Sequence, residues 1–205
     1  MRIGFVGLGQ MGLVMAPHLT RDGWQVTGHD LVTPADLPDG LGFTANLDDL
    51  AGSDVIITML PDGEVVTGVV DRLTAAGCRA MFIDMSSAHP DDSRALAQRL
   101  SERGLAFVDA PVSGGVVRAR AGELTIMAGG GEAAFTRALP VLSCMGHAVH
   151  LGPPGCGHAM KALNNYVSAA GLIASFQALA TAIDSGIAPT RFLEVINGST
   201  GRNNT

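Results

Sequence analysis

Short apolar runs alternate with longer amphipathic stretches through the first three quarters of the chain. Runs of this length are typical of buried strands, and apolar residues recurring every three or four positions indicate helices. The predicted strands are residues 2–6, 25–29, 55–60, 80–83, 105–108, 124–128 and 148–150. The helices predicted between them are residues 12–22, 63–76, 90–103 and 132–144. This alternation predicts an α/β fold with a mostly parallel, doubly wound sheet of the Rossmann type.

The pattern changes at the rigid turn Gly152-Pro153-Pro154-Gly155, which we interpret as a domain boundary. Beyond it, residues 158–185 predict one long helix, and residues 189–196 predict a shorter one. We therefore expect a first domain at 1–154 and a second at 155–205, the second being the beginning of an all-α domain led by an interdomain helix. The nearly uncharged stretch 167–183 is shorter than the ~20 residues of a membrane span. A helix buried in protein is the expectation, with no membrane partner.

Composition narrows the function classes. Apolar residues make up 47% of the chain and charged residues 16%, a balance typical of folded proteins. The net charge is −6 and no Lys/Arg cluster occurs, so a nucleic-acid partner is not expected. The three cysteines lack the spacing of a disulfide framework or a zinc site, which predicts no metal and a reducing, cytoplasmic location. The apolar N-terminus fits a buried strand better than a secretion signal.

A glycine-rich loop follows the first predicted strand: Gly7, Leu8, Gly9, Gln10, Met11 and Gly12. In a G-x-G-x-x-G loop the glycines permit a tight turn, close approach of a pyrophosphate and close packing of helix on strand. Asp30 ends the next strand, where a carboxylate can accept hydrogen bonds from ribose hydroxyls and repel a 2′-phosphate. The loop predicts a bound dinucleotide, with NAD favoured over NADP. A glycine turn without a ligand is the alternative.

Two more motifs carry polar groups that could touch a substrate. Ser113, Gly114 and Gly115 directly follow a strand, where consecutive backbone amides form a nest for an anion or an ordinary glycine turn. Lys161, Asn164 and Asn165 stand at i, i+3 and i+4 and share one helix face. Burying them on an apolar helix without a task is costly, and a solvated helix start is the alternative. For His158, one turn earlier, we expect a surface or capping role.

These motifs, in this order, resemble the β-hydroxyacid dehydrogenase family, which includes 3-hydroxyisobutyrate dehydrogenases and tartronate semialdehyde reductases. The matching segments are residues 7–15, 59–61, 84–87, 109–115, 122–124 and 155–165. By this resemblance Leu60 and Pro61 line the cofactor, and Ser87 lies near its nicotinamide. Ser113, Gly114 and Gly115 would hold the substrate carboxylate. Lys161 would be the catalytic residue, and Asn165, with Asn164 beside it, would orient the substrate.

The implied activity is hydride transfer between NAD and a small β-hydroxyacid such as 3-hydroxyisobutyrate or glycerate, with Lys161 as general acid and base. A 6-phosphogluconate dehydrogenase-like enzyme is one alternative, although that family carries His where Asn164 stands and Gly where Pro111 stands. Imine reductases share the fold but usually lack the lysine. A catalytically incompetent dinucleotide-binding fragment is a further alternative.

Two departures from the family pattern change the expectations. Arg118 occupies a place where the family commonly has glycine, which would reshape the pocket or add an anion contact. The chain also ends where most of the family's helical domain begins, so we expect a sequence truncated in that domain. An apolar helix left uncovered in this way predicts either self-association through the helical domain or instability of the 205-residue chain.

Overall fold

The computed structural model describes residues 1–202. Residues 203–205, the end of the predicted second domain, lie outside the described residues. The chain divides into two compact units, Met1–Lys161 and Ala162–Thr205. The sequence-based boundary lies between residues 154 and 155, in the turn before the long helix.

The first unit contains one twisted, mostly parallel sheet. Its strand order is β3-β2-β1-β4-β5-β6-β8-β7, and β9 pairs with β8. Within it, β8 runs antiparallel to β6 and β7. The strands are β1 (Arg2–Val6), β2 (Gln25–His29), β3 (Leu41–Thr44), β4 (Val55–Thr58), β5 (Met81–Asp84), β6 (Phe107–Asp109), β7 (Val112–Ser113), β8 (Leu124–Gly129) and β9 (Gly146–Gly152). The doubly wound α/β fold predicted from the sequence is confirmed.

Five α-helices and one short 3₁₀ helix (Leu47–Gly52) connect these strands among the described residues of the first unit. They are α1 (Gly12–Thr20), α2 (Gly63–Ala75), α3 (Pro90–Ser101), α4 (Gly115–Ala121) and α5 (Glu132–Ser143). The side chain of Asp62 accepts a hydrogen bond from the Val65 amide and so begins α2. The side chain of His89 accepts a hydrogen bond from the Asp91 amide and so begins α3, where Pro90 and Asp91 occupy the first turn. Sequence reasoning missed four short elements: β3, β7, α4 and the 3₁₀ helix.

The core lies on both faces of the sheet, as parallel sheets covered by helices require. Neighbouring residues of a strand therefore both point into apolar surroundings. Phe5 belongs to the cluster on one face and Val6 to the cluster on the other. Ile57 and Ile56 divide in the same way on β4. This arrangement explains why the central strands appear in the sequence as continuous apolar runs rather than as alternating patterns.

Two further helices, α6 (Cys156–Asp184) and α7 (Pro189–Asn197), complete the described chain, and α6 crosses the division between the units. The expectation of a buried α6 is wrong for the described residues, because only 6% of its most apolar 18-residue stretch is buried. Helix α7 contributes no buried residue, so it does not cover α6. By length and composition α6 could cross a membrane, although a single helix of this kind is weak evidence for a span.

Candidate cofactor and substrate site

The three glycines of the β1–α1 loop meet different surroundings. Gly7 has φ +100°, and a Cβ added there would lie 2.2 Å from the Met59 carbonyl oxygen. A Cβ added at Gly12 would lie 1.9 Å from the Gly7 carbonyl oxygen. At Gly9 nothing lies within 4 Å of an added Cβ. The fold itself therefore requires the first and third glycines, whereas the second leaves space where a pyrophosphate can approach the backbone.

Asp30 braces the same loop. Its carboxylate accepts a hydrogen bond from the Leu8 amide at 2.7 Å and a second from the Val32 amide at 3.2 Å. Leu8 is buried, and its side chain lies under Gly28 of β2. The backbone amide of Leu8 therefore stabilises the loop, and its side chain packs in the core. Asp30 also lines the cavity beside the loop.

A cavity of about 790 Å³ opens in front of the glycine loop. It is lined by eight residues predicted to bind the cofactor: Gly7, Gly9, Gln10, Met11, Gly12, Asp30, Leu60 and Pro61. Leu8 and Ser87 do not line it, and Ser87 is exposed. Sequence reasoning missed a largely apolar part of the wall that includes Leu31, Leu47, Val65, Val69 and Arg72. The residues present fit an extended dinucleotide, because the open face of Gly9 and the Asp30 carboxylate border one space.

The wall formed by Leu60 is fixed from behind. The Leu60 amide donates to the hydroxyl of buried Ser86 at 2.9 Å. The Ser86 amide donates to the carboxylate of Asp84, which ends β5 and is itself buried. Sequence reasoning assigned the cofactor contact to Ser87, the exposed neighbour. Ser86 supports the cavity wall, whereas the cofactor contact of Ser87 stays a prediction.

The Ser113–Gly115 segment begins helix α4. Gly114 and Gly115 have φ values of +133° and +63°, so the backbone turns sharply between β7 and the helix. Ser113 is half-buried, and both glycines are exposed. A Cβ added at Gly114 would lie 2.8 Å from Cβ and Cδ of Arg118, so the aliphatic stem of that arginine lies across the turn. The segment is therefore an accessible helix N-terminus with a cation one helical turn away.

Lys161 reaches this segment from α6. Its ammonium donates to the Val112 carbonyl oxygen at 2.7 Å, directly before Ser113. The side chain is half-buried, and burial lowers the pKa of Lys161 below its ordinary value of 10.5. Asn164 and Asn165 follow on α6 within the second unit, where Asn164 is half-buried and Asn165 is exposed. The sequence contains a further signal that sequence reasoning overlooked: Lys161 is the only lysine in the 205-residue chain.

His158 differs from the sequence-based expectation. The sequence predicts a surface or capping role, but the His158 side chain is buried, 1% exposed. The reason is that the neighbouring ends of β5 and β6 bring the carboxylates of Asp84 and Asp109 to within 4 Å of its ring. No local sequence pattern connects these three residues, because they are brought together only by strand pairing.

Comparison with known proteins decides the family. The profile of the NAD-binding domain of 6-phosphogluconate dehydrogenase matches residues 2–152. Residues 155–205 match the profile described as NAD-binding of NADP-dependent 3-hydroxyisobutyrate dehydrogenase. The chain is 42% identical over 209 residues to the mitochondrial 3-hydroxyisobutyrate dehydrogenase of Drosophila melanogaster, covering 98% of this chain and 64% of the relative. The chain belongs to the β-hydroxyacid dehydrogenase family.

Other members of the family extend the likeness. The 2-(hydroxymethyl)glutarate dehydrogenase of Eubacterium barkeri is 37% identical, with 98% of this chain and 70% of that protein covered. The solved structure of Mycobacterium tuberculosis 3-hydroxyisobutyrate dehydrogenase with L-serine superposes with a TM-score of 0.87 at 37% identity. That likeness covers 98% of this chain and 72% of the solved one. Family membership confirms the resemblance noted in the sequence and identifies the first unit as an NAD-binding domain.

Proposed function

We propose that this protein is an NAD-dependent oxidoreductase that interconverts a small β-hydroxyacid with the corresponding semialdehyde or keto acid. The observation that carries the proposal is the position of Lys161. Its ammonium bonds to the carbonyl of Val112 at 2.7 Å, next to the accessible turn at Ser113. A cationic, titratable group thus lies beside an exposed glycine turn whose backbone amides could bind a carboxylate.

Lysine suits this position because it can release its proton. Thirteen Lys and Arg residues occur in the chain, and Lys161 is the only lysine among them. Arginine stays protonated in proteins and cannot exchange a proton near neutral pH. The single lysine therefore suits the proposed acid–base role, and burial lowers its pKa below the ordinary value of 10.5.

The proposed chemistry divides between the cofactor and the chain. NAD, when bound, accepts a hydride from the carbon that bears the substrate hydroxyl. Neutral Lys161 removes the hydroxyl proton during oxidation, and the ammonium form returns it during reduction. The backbone amides at Ser113, Gly114 and Gly115 hold the substrate carboxylate. Asn164 and Asn165, on the same helix as Lys161, orient the substrate in this proposal.

The substrate class follows from what the related proteins handle. Their names and contents give 3-hydroxyisobutyrate, 2-(hydroxymethyl)glutarate and L-serine. All three are carboxylic acids with a hydroxymethyl group on the carbon next to the carboxylate. We propose that this chain acts on the same unit, a hydroxymethyl group bonded to the α-carbon of a carboxylic acid. Arg118, beside Gly114, would favour a substrate with a second carboxylate.

NAD rather than NADP is the proposed cofactor. The Asp30 carboxylate borders the cavity and would repel a 2′-phosphate. The residues that follow it, Leu31 and Val32, carry no positive charge. The match to a profile described as NADP-dependent covers only residues 155–205, outside the Asp30 region. Titration of the purified chain with NAD⁺ and NADP⁺ should give a clearly smaller Kd for NAD⁺, and equal affinities would contradict this choice.

The catalytic proposal is tested with Lys161→Arg and Lys161→Ala. NADH formation at 340 nm is measured with 3-hydroxyisobutyrate, 2-(hydroxymethyl)glutarate and L-serine. Because general acid–base groups contribute about 10²–10⁴ in rate, both variants should lose at least a hundredfold in kcat while retaining NAD⁺ affinity. Arg103→Ala, at an exposed position after α3, is the matched control and should retain activity.

The outcomes separate the candidate functions. Near-normal kcat in Lys161→Ala would refute the lysine assignment. NAD⁺ binding without turnover on any substrate would instead favour a dinucleotide-binding module without catalysis. Oxidation of 6-phosphogluconate with release of CO₂ would favour a 6-phosphogluconate dehydrogenase-like enzyme.

The exposed apolar face of α6 needs a partner, and we propose a second copy of the chain. Tyr166, Val167, Ile173 and Phe176 are each more than half exposed on this helix. Light scattering should give a mass of at least a dimer, and Phe176→Glu should lower it. A monomer that sediments with lipid vesicles would favour a membrane instead.

The protein is proposed to work in the cytoplasm. Cys78, Cys144 and Cys156 are all free thiols in the described structure, which suits a reducing compartment. Fractionation of cells that express the tagged protein tests this location.

A further inference from the structure

A buried polar network joins the ends of two central strands to the start of α6. At its centre, the ring of His158 has Nε2 at 3.0 Å from the Ser86 carbonyl oxygen and Nδ1 at 2.6 Å from the Ser93 hydroxyl. A carbonyl can only accept, so Nε2 carries a proton and donates it. In the neutral ring Nδ1 then accepts from Ser93. His158 therefore connects α6 to the β5–α3 loop and to α3.

Asp109 holds the same turn of α6 through the backbone. Its carboxylate accepts from the Gly155 amide at 2.8 Å and from the His158 amide at 3.0 Å. It is fully buried at the end of β6, where burial raises its pKa and the two amide bonds act against that increase. A carboxylate at a helix N-terminus is favourable for the amides and for the helix dipole. Two independent attachments thus fix one helical turn.

This turn has little freedom to shift. A Cβ added at Gly157 would lie 2.3 Å from the Met127 carbonyl oxygen and 2.6 Å from that of Asp109. The backbone of α6 therefore rests directly on β6 and β8. Among the described residues no buried side-chain nitrogen or oxygen lacks a hydrogen-bond partner. A fully satisfied buried network of this kind specifies one arrangement rather than several.

We propose that His158 is a positioning residue for Lys161. Lys161 follows it by three residues, about 4.5 Å along the helix axis at 1.5 Å per residue. The bonds to Ser86 and Ser93 fix the rotation and height of the first turn of α6, and thereby hold the Lys161 ammonium at the Val112 carbonyl. The inference rests on the proposed catalytic role of Lys161.

The same network supports the wall of the cofactor cavity. Ser86 accepts from His158 at its carbonyl oxygen and from the Leu60 amide at its hydroxyl. One residue therefore contacts both the cavity wall and the helix that carries Lys161. Ser86 thus fixes the position of the Lys161 helix relative to the wall of the cofactor cavity. A displacement of about 1 Å in such an arrangement can cost on the order of a hundredfold in rate.

Four variants separate positioning from simple stability. His158→Phe fills the same space but can bond to neither Ser86 nor Ser93. His158→Gln places an amide near the former Nε2 and can still donate to the Ser86 carbonyl. Ser93→Ala removes only the partner of Nδ1. Val70→Ala, in the buried face of α2 and outside the network, is the control for loss of stability.

Two measurements are made on each variant alongside the wild type. The first is trace labelling with acetic anhydride as a function of pH, quantified by mass spectrometry. Because Lys161 is the only lysine, one peptide reports its pKa, with the N-terminal amine as internal reference. The second is steady-state kinetics with the best substrate of the panel, together with the Kd for NAD⁺.

The positioning role predicts a specific set of changes. In His158→Phe, kcat should fall by about tenfold or more, while KM and the Kd for NAD⁺ change little. The labelling midpoint should move up towards the ordinary lysine value of 10.5, because a released side chain is better solvated. Ser93→Ala should show smaller changes in the same direction, and His158→Gln should recover most of kcat. Val70→Ala should lower Tm without moving either readout.

Other outcomes overturn the proposal. If kcat and the labelling midpoint are unchanged in His158→Phe and Ser93→Ala, or change equally in Val70→Ala at matched loss of Tm, His158 has only a structural role. The labelling measurement does not need turnover. A wild-type chain that oxidises no hydroxyacid therefore refutes the proposed function, while the labelling midpoints still decide whether His158 positions Lys161.

Discussion

In the glycine loop, two substitutions of the same size should affect different properties: one the stability of the fold and the other the affinity for NAD⁺. In Gly12→Ala the new Cβ would lie 1.9 Å from the Gly7 carbonyl oxygen and 2.9 Å from its carbon. Both are backbone atoms that cannot rotate away, so α1 must move off the sheet. In Gly9→Ala the new Cβ meets nothing within 4 Å, and the backbone there has no positive φ. The free protein should tolerate this change.

The magnitudes follow from these contacts. Overpacking of a core contact costs about 1–3 kcal/mol, and the short distance at Gly12 favours the upper half of that range. At about 2–4 °C per kcal/mol for a chain of this size, Gly12→Ala should lower Tm by roughly 4–12 °C. Gly9→Ala should leave Tm unchanged or slightly raised, because alanine restricts the unfolded chain. Its methyl group instead fills the space through which a pyrophosphate reaches the backbone.

Loss of one hydrogen bond to a charged group costs about 1.5–3 kcal/mol. Gly9→Ala should therefore weaken NAD⁺ binding by about tenfold to a hundredfold at unchanged Tm. Differential scanning fluorimetry without ligand and calorimetric titration with NAD⁺ measure the two quantities separately. Wild-type NAD⁺ affinity in Gly9→Ala would refute the assignment of the pyrophosphate to the Gly9 side of the loop. An unchanged Tm in Gly12→Ala would refute the packing argument.

Two further predictions concern Asp30 and Lys161. Asp30→Asn keeps an oxygen that can accept from the Leu8 amide, so Tm should change little while the preference for NAD⁺ over NADP⁺ decreases. Asp30→Ala should lose the preference and also lower Tm, and equal stability of the two variants would show that the Leu8 bond contributes nothing. The lowered pKa of Lys161 predicts that alcohol oxidation, which needs the neutral amine, rises with pH and levels off below 10.5. Reduction, which needs the ammonium, should decline through the same range, and an oxidation rate still rising at pH 10.5 would contradict the role of burial.

The sequence predicted the central strands and most helices because their signals are local. Continuous apolar runs such as β4, and helix starts such as Asp62 and Pro90, need only neighbouring residues to be recognised. Three elements lacked such signals. Strand β3 is short and contains a glycine, β7 has only two residues, and α4 buries a single side chain, Ala119. Their structure is determined by pairing and packing partners far away in the chain.

The site shows the same division between local and long-range information. The loop motif at Gly7 and the carboxylate at Asp30 were found from spacing within one βαβ unit, and both border the cavity. The supporting residues were not found. His158, Asp84 and Asp109 come together because β5 and β6 pair in register at their last residues, with Asp84 opposite Asp109. A burial prediction for His158 would have required knowledge of that register.

The Leu8–Asp30 bond restricts how cofactor choice can evolve in this protein. In the proposed binding mode the carboxylate that would repel a 2′-phosphate also holds the glycine loop, so one side chain affects both cofactor selectivity and loop stability. A single substitution towards NADP use that also removes the acceptor, such as Asp30→Ala, would weaken the loop. Asparagine is the intermediate that separates the two properties, since it removes the charge and keeps the acceptor. We expect laboratory selection for NADP use to proceed through Asp30→Asn before any arginine is recruited nearby.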